Sequence, residues 1–281
     1  MQQVALVAFW LAMALYAGAT VLYAYYFVTK RTALSWYATF LTGAGFLMHT
    51  ASIGLRSSAT DGTELTGANV LVLMAWALVL VYFIFEHLIK IKVYGTVLVP
   101  LALLLMLIAS LLGVTSGVVA ELPADQAMLL DSWRVGIHVA LIVFANAGFI
   151  ISAAASVTYL VLERQLKEHK TTKLFKRLPS LSQTDLFARR AVLWAFPAYT
   201  AGMLLGALRA IETDVQLWWA DPRVILSGIV WLIFGTYLFV RWVRGWGGHA
   251  AAYLSIAGTV FVIILSIVAR TVPAGFHIFG L

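Results

Sequence analysis

Long apolar stretches alternate with short polar segments along the whole chain. A run of about 20 apolar residues can cross ~30 Å of hydrocarbon as a helix. A helix satisfies its own backbone hydrogen bonds, which lipid cannot do. Eight such stretches lie at about 4–28, 34–55, 68–89, 93–113, 134–162, 188–210, 223–243 and 250–269. The pattern therefore predicts an all-α membrane protein with about eight transmembrane helices.

Composition agrees with this fold class and narrows the possible chemistry. The chain of 281 residues is 62% hydrophobic and only 11% charged. It contains no cysteine, which excludes disulfides and thiolate metal sites. No basic residue precedes the first stretch, so we interpret it as a membrane helix and not as a cleaved signal peptide. We expect residues 1–281 to form a single multi-pass membrane domain.

Basic residues are concentrated on one side of the predicted helices. Most of the 19 Lys and Arg residues lie there: Lys30, Arg31, Lys90, Lys92, eight residues of segment 163–190, Arg241 and Arg244. By the positive-inside rule this side is cytoplasmic, so both termini are expected outside. The predicted location is a cell membrane, specifically a bacterial cytoplasmic membrane. The net charge of +7 is thus an orientation signal, and no nucleic-acid partner is expected.

The predicted outer loop between the sixth and seventh stretches is rich in tryptophan. It reads Gln216-Leu217-Trp218-Trp219-Ala220-Asp221-Pro222-Arg223. His138 lies about one turn inside the outer end of the fifth stretch, and His277 lies just beyond the eighth, so both are expected at a similar depth. Two neutral imidazoles are suitable axial ligands for haem iron, and tryptophans can pack against the porphyrin.

This arrangement predicts a haem site at the outer face. The predicted metal ligands are His138 and His277, and the predicted cofactor is haem b. The other predicted cofactor contacts are Trp218, Trp219, Asp221, Arg223 and Arg134, the arginines being suited to haem propionates. Taken singly, each histidine is better explained as a hydrogen-bonded interfacial residue, and the tryptophans as an aromatic belt. The prediction therefore depends on their combination.

His49 is a further candidate for cofactor contact because it lies within the second apolar stretch. An ionisable residue inside a membrane is a functional candidate by default. The alternative is a hydrogen bond from His49 to a neighbouring helix. His87, near the inner end of the third stretch, is too far toward the other side to share one ligand with His49.

Several short motifs resemble those of the System II cytochrome c assembly proteins of the CcsA/HemX type. They occur in that family's order: Tyr94–Pro100, His138, Tyr159–Arg164, Leu178–Leu181, Phe196-Pro197, Gly206-Ala207, Gly245–Gly248 and Gly275–His277. His138 matches the family's outer histidine, and His277 closes a segment similar to its terminal Gly-Leu-His. The resemblance implies a membrane protein that handles haem for cytochrome c biogenesis.

The family's tryptophan-rich haem-handling motif, called WWD, is incomplete in this chain. The family usually shows W-x-W-D-P-K-E. Aligned on Asp221-Pro222, this chain keeps Trp218 but has Ala220 in place of the second tryptophan. It also has Arg223 in place of lysine and Val224 in place of glutamate. The resemblance is thus to a degenerate, WWD-like motif.

The seventh stretch departs from the family as well. Family members commonly end this span with Tyr-Leu-His-x-Arg, whereas this chain has Phe239 at the histidine position, between Tyr237 and Arg241. Phenylalanine cannot ligate iron. The resemblance therefore favours an outer haem site over a relay of haem from the inner to the outer face.

Three functions remain open. The preferred one is a haem-handling assembly factor that works with other assembly subunits and presents haem to apocytochrome c, whose own cysteines would form the attachment. The second is a haem-b electron-transfer subunit of a membrane redox complex. The third is a HemX-like regulator of a haem-synthesis enzyme acting through segment 163–190, which is more simply a solvated loop attracted to anionic lipid. No catalytic residue is assigned. Enzymatic activity stays open, one possibility being a non-autonomous component of a cytochrome c haem-attachment system.

Overall fold

The computed structural model describes residues 1–58, 68–89, 92–115, 132–169, 178–243, 245 and 247–271. The long helices of this part are α1 Gln2–Thr29, α2 Thr32–Ser57, α3 Asn69–Ile89, α4 Gly95–Ala109, α5 Trp133–Lys167, α6 Leu181–Glu212, α7 Pro222–Val243 and α8 His249–Thr271. Short 3-10 turns at Lys92–Tyr94 and Trp218–Ala220 precede α4 and α7, and a π turn at Ser110–Val114 extends α4. The predicted all-α membrane fold with about eight helices is confirmed.

Seven of these helices are long and apolar enough to cross a membrane, and α2 is the exception within the described residues. Polar side chains lower the mean hydropathy of α2, which explains the difference. Four of them are buried inside the protein: Ser35, Thr42, His49 and Ser52. Thr42 and Ser52 donate to the carbonyl oxygens of Ala38 and Ala5, at 2.8 and 2.9 Å. Polar side chains paired in this way are compatible with a membrane helix whose apolar face meets lipid.

The chain divides into two compact units, Met1–Glu121 and Leu122–Leu281, which are described separately. In the first unit, α1 packs against α2 and α4, and α3 packs against α2 and α4. Tyr23 of α1 lies at the centre of one end of this unit, because its hydroxyl is 2.9 Å from that of Tyr82 and 3.1 Å from Thr39 Oγ1. The single domain predicted over residues 1–281 stays a prediction.

In the described part of the second unit, four antiparallel helices form a ring in which α5 contacts α6 and α8, and α7 contacts α6 and α8. Its centre is aromatic: the rings of Phe149 and Phe234 stack 3.6 Å apart, and Tyr199 meets Phe149 edge-on. Ser152 and Ser255 share a buried hydrogen bond of 2.7 Å between α5 and α8. Hydrogen bonds between helices and close packing replace the hydrophobic effect, which does not act between helices in lipid.

Helix α6 begins earlier than the sequence pattern predicts, at Leu181 instead of about residue 188. Ser180 and Gln183 form a capping box, in which each side chain satisfies a backbone N–H of the other. Asp185, in the second turn, accepts two hydrogen bonds from Arg241 of α7, at 2.8 and 2.6 Å. The first two turns of α6 are polar because they cap the helix and pair with α7, and hydropathy alone therefore misses them.

Gly258 of α8 allows the close contact between α8 and α7. A Cβ at Gly258 would lie 2.6 Å from Cε2 of Phe234, whose ring is fully buried. We expect Gly258→Ala to lower the free energy of unfolding in detergent by about 1–3 kcal/mol, the usual cost of overpacking a core. Thermal unfolding followed by circular dichroism would measure the change.

Gly228→Ala on α7 is the matched control for Gly258→Ala, because nothing lies within 4 Å of a Cβ at Gly228. We expect this variant to be neutral or stabilised by up to about 1 kcal/mol, since alanine favours a helix over glycine. An equal loss of stability in both variants would contradict the packing described for Phe234.

Candidate functional site

The candidate site lies at one end of the second unit, which we call the tryptophan end. It is formed by the first turns of α5, the last turns of α6, the loop 213–221 and the first turn of α7. Antiparallel packing brings these segments to the same end, as an ion pair between Arg134 of α5 and Glu212 of α6 confirms. Helix α8 also finishes at this end, at Thr271.

His138 is held against α6 by two glycines. It lies in the second turn of α5 and is half-buried. Its Nδ1 is 2.7 Å from the carbonyl oxygen of Gly202. Its ring lies over Gly206, where a Cβ would approach Cε1 to 2.7 Å. Glycines spaced by four residues lie on one face of a helix and let a neighbouring helix approach closely, so the pair forms a seat for the imidazole.

This hydrogen bond fixes the tautomer of His138. A carbonyl oxygen can only accept, so Nδ1 carries the proton and donates it to Gly202. In the neutral imidazole Nε2 then holds a lone pair. Histidines that ligate metals commonly donate their other ring N–H to a backbone carbonyl, which orients the ring and raises its basicity. The chemistry of His138 therefore fits an iron ligand that binds through Nε2.

The tryptophan loop is a short 3-10 turn with outward-facing aromatic rings. Trp218 is half-buried and Trp219 is 59% exposed, with their rings perpendicular and 6.1 Å apart. Leu217, just before the turn, has the left-handed φ of 53°, which is uncommon for a residue other than glycine.

Asp221 has a structural role that its sequence context only partly suggests. Its side chain is 3% exposed, and Oδ1 accepts a hydrogen bond of 2.7 Å from the backbone N–H of Arg223. This is the geometry of a helix N-cap, and Pro222 follows at the first helical position, where proline is favoured. Asp221-Pro222 is therefore the start signal of α7, and the Asp221 carboxylate is engaged with the backbone.

The two predicted arginines differ in their surroundings. The guanidinium of Arg134 pairs with Glu212 and lies 5.6 Å from the ring of Trp133. A haem propionate at this position would have to compete with Glu212. Arg223 is partly buried beside Asp221, in the first turn of α7. The structure thus brings His138, the tryptophan loop and both arginines to one end of the second unit.

His49 belongs to the first unit, where its buried Nε2 has no hydrogen-bond partner among the described residues. The ring is 0% exposed, and Nδ1 lies 3.4 Å from the hydroxyl of Tyr16. The two rings meet edge-on at 5.9 Å, and the backbone of Val72 is a second polar neighbour. These contacts match the alternative of a hydrogen bond to a neighbouring helix, and cofactor contact by His49 stays a prediction.

Two further positions from the sequence analysis are His277 and Phe239. His277 lies outside the described residues. Phe239, at the position of the family's intramembrane histidine, is 57% exposed on α7, whereas Tyr237 is fully buried. A side chain at residue 239 therefore points away from the centre of the second unit.

Sequence reasoning missed the partner of Arg134 and the role of the two glycines. Glu212 is one of several acidic residues on its side of the chain, and nothing in the sequence singles it out. The four-residue spacing of Gly202 and Gly206 was the available signal for a close helix contact. That His138 is the group seated between them required the register of α5 against α6.

Comparison with known proteins gives consistent matches. The model of the family described as cytochrome c assembly protein matches residues 65–277. The cytochrome c biogenesis protein CcsA of Trieres chinensis is 24% identical over 237 residues, covering 75% of each chain. That of Prochlorococcus marinus (strain MIT 9313) is 25% identical over 74% of this chain and 72% of its own. That of Cyanophora paradoxa is 32% identical over 131 residues, which are 47% of this chain and 38% of its own.

The cap at Asp221 can be tested by substitution. We expect Asp221→Ala to destabilise the protein by about 1 kcal/mol, because it removes the acceptor for the Arg223 N–H, whereas Asp221→Asn keeps that acceptor. Thermal unfolding in detergent and hydrogen exchange at the Arg223 amide would measure the effect. Equal exchange rates in the alanine variant and the unsubstituted protein would show that Asp221 is not the cap.

Proposed function

The chain belongs to the cytochrome c assembly protein family, and from that premise we propose that it binds haem b at the tryptophan end and presents it for attachment to apocytochrome c. The second part of the proposal is the orientation, with the tryptophan end facing the outside of a bacterial cytoplasmic membrane. The partners are the other subunits of the assembly system and the apocytochrome.

The observation that carries the proposal is the hydrogen bond from His138 Nδ1 to the carbonyl oxygen of Gly202. It leaves the basic nitrogen at Nε2 and removes the freedom of the ring to turn. Such a ring is preorganised to ligate a metal.

The remaining residues of the tryptophan end would hold the macrocycle. Trp219 offers an exposed aromatic surface for a flat apolar ligand, and Arg223 offers a cation for a propionate. His277 is the proposed second ligand. When bound, haem would supply the iron, and His138 and His277 would hold it, since neutral imidazoles are suitable ligands. The half-burial of His138 leaves the site accessible from the end of the unit, as delivery to a partner requires.

The chain's own chemistry limits its part in attachment. It contains no cysteine, so the thiols that bond to haem in a cytochrome c must come from the apocytochrome. The proposed role of this chain is therefore to bind and orient haem at the tryptophan end. Phe239 provides no ligand for haem inside the membrane, so the proposal places haem at the tryptophan end.

A visible spectrum of the protein purified in mild detergent tests the ligands. We expect a bis-histidine haem spectrum that is lost or converted to a five-coordinate form in His138→Ala and in His277→Ala, since each removes one axial ligand. His87→Ala, on the exposed face of α3, is the control and should leave the spectrum unchanged.

The outcomes of that measurement separate the candidate functions. An unchanged bis-histidine spectrum in both ligand variants would contradict the assignment of His138 and His277 as haem ligands. Loss of haem to an added apocytochrome would support the assembly role. Retention of haem through repeated oxidation and reduction in the presence of the apocytochrome would instead identify an electron-transfer subunit.

The seat of His138 can be tested without touching a proposed ligand. Gly206→Ala places a methyl group against the imidazole, so we expect haem affinity to fall by about 10-fold or more, as for other residues that orient a metal ligand. Gly136→Ala on α5 is the matched control, because nothing lies within 4 Å of a Cβ there. Haem titration followed by absorbance would compare the two, and equal affinities would contradict the seat.

A further inference from the structure

Glu212 lies at the tryptophan end in a position that its own helix disfavours. It is the last residue of α6. The C-terminal end of a helix carries partial negative charge, so a basic residue there is favourable and a carboxylate is unfavourable. Within the part of the chain that the structure describes, Glu212 forms its ion pair with Arg134 of α5. The contact with α5, and not the stability of α6, is therefore what this carboxylate contributes.

Arg134, the partner of Glu212, shares a helix face with the proposed iron ligand. Arg134 and His138 are four residues apart on α5, so they lie on one face and are separated by about 6 Å along the helix. Both side chains also reach α6, where Arg134 contacts Glu212 and His138 contacts Gly202. Haem carries its two propionates at the edge of the macrocycle, away from the iron. A cation displaced from the imidazole along α5 is therefore suitably placed for a propionate.

The ion pair between Arg134 and Glu212 is open to exchange with another carboxylate. The side chains of its two members are 38% and 41% exposed, so an incoming anion can reach the guanidinium. Arg134 also lies 5.6 Å from the centre of the Trp133 ring, an attraction that holds the guanidinium in place when its anionic partner changes. A guanidinium binds carboxylates of any source through the same planar set of N–H donors. Glu212 and a haem propionate are therefore chemically equivalent partners for Arg134.

We propose that Glu212 competes with a haem propionate for Arg134 and thereby promotes the release of haem. Its carboxylate pairs with Arg134 until a propionate displaces it, and it pairs with Arg134 again as haem leaves. Arg134 is thus paired with an anion before and after delivery, which lowers the free-energy cost of release. Glu212 is a positioning residue in this scheme, because it acts through Arg134. The inference rests on the haem site proposed for the tryptophan end.

Haem titration of the full-length protein in mild detergent, followed by absorbance, tests this competition. We expect Glu212→Gln to bind ferric haem more tightly, because Arg134 is then available to a propionate. The expected gain is about 2- to 5-fold, since water weakens an ion pair as exposed as this one. An excess of apomyoglobin, which takes up released haem, measures the rate of release. We expect haem to leave Glu212→Gln more slowly by a similar factor.

Three comparisons separate competition from other effects of the charge. Asp214→Asn is the matched control, because Asp214 is an exposed carboxylate at the same end that accepts a hydrogen bond from Gln216 and not from an arginine. We expect this variant to bind haem as the unsubstituted protein does. Haem dimethyl ester has no free propionate, so it should bind Glu212→Gln and the unsubstituted protein equally. In an Arg134→Gln background, Glu212→Gln should give no further gain.

The outcomes distinguish this inference from the haem site on which it rests. Haem binding that is weakened by His138→Ala but unchanged by Glu212→Gln would overturn the competition alone. An equal gain in Asp214→Asn, with the dimethyl ester, or in the Arg134→Gln background would do the same, because each would show an effect that does not pass through Arg134 and a propionate. Haem binding that is absent, or that His138→Ala leaves unchanged, would overturn the haem site and the competition together.

Discussion

The close approach of α5 and α6 is the constraint on which the rest of the second unit depends. Glycines on both helices permit it: a Cβ at Gly148 would lie 2.8 Å from Cβ of Ala195, and one at Gly202 would lie 2.9 Å from the side chain of Ile142. In lipid, helices associate through packing and hydrogen bonds, and small residues let their backbones come together. The same seam exposes the carbonyl of Gly202 to His138. Packing and candidate chemistry therefore rest on one set of residues.

The sequence predicted the bounds of a helix closely where apolar residues run from its first turn to its last. The predicted bounds of α3 and α7 differ from the structure by one residue at most. The largest error is the start of α6, where Ser180 and Gln183 cap a polar first turn that hydropathy cannot detect. The division into two compact units was not predicted, because hydropathy gives the number of spans and says nothing of which helices pack together.

The sequence predicted which residues form the candidate site. Their contacts and hydrogen bonds are visible only in the folded structure. The sequence placed His138, the tryptophan loop and Arg134 on one side of the membrane, and the antiparallel order of α5, α6 and α7 brings them to one end. It could not show that Glu212 forms an ion pair with Arg134, since these residues are far apart in the chain. It could not show the tautomer of His138 either, because that depends on a backbone carbonyl of another helix.

The structure also separates the two halves of the tryptophan loop by their physical roles. Asp221 and Pro222 start α7 through a buried N-cap, and neither side chain is presented to a ligand in that role. Position 220 is exposed in the 3-10 turn, so an alanine there removes an aromatic surface and leaves the helix start intact. A chain can thus keep the shape of this loop while exposing less aromatic surface. Ala220 is therefore compatible with a correctly folded loop.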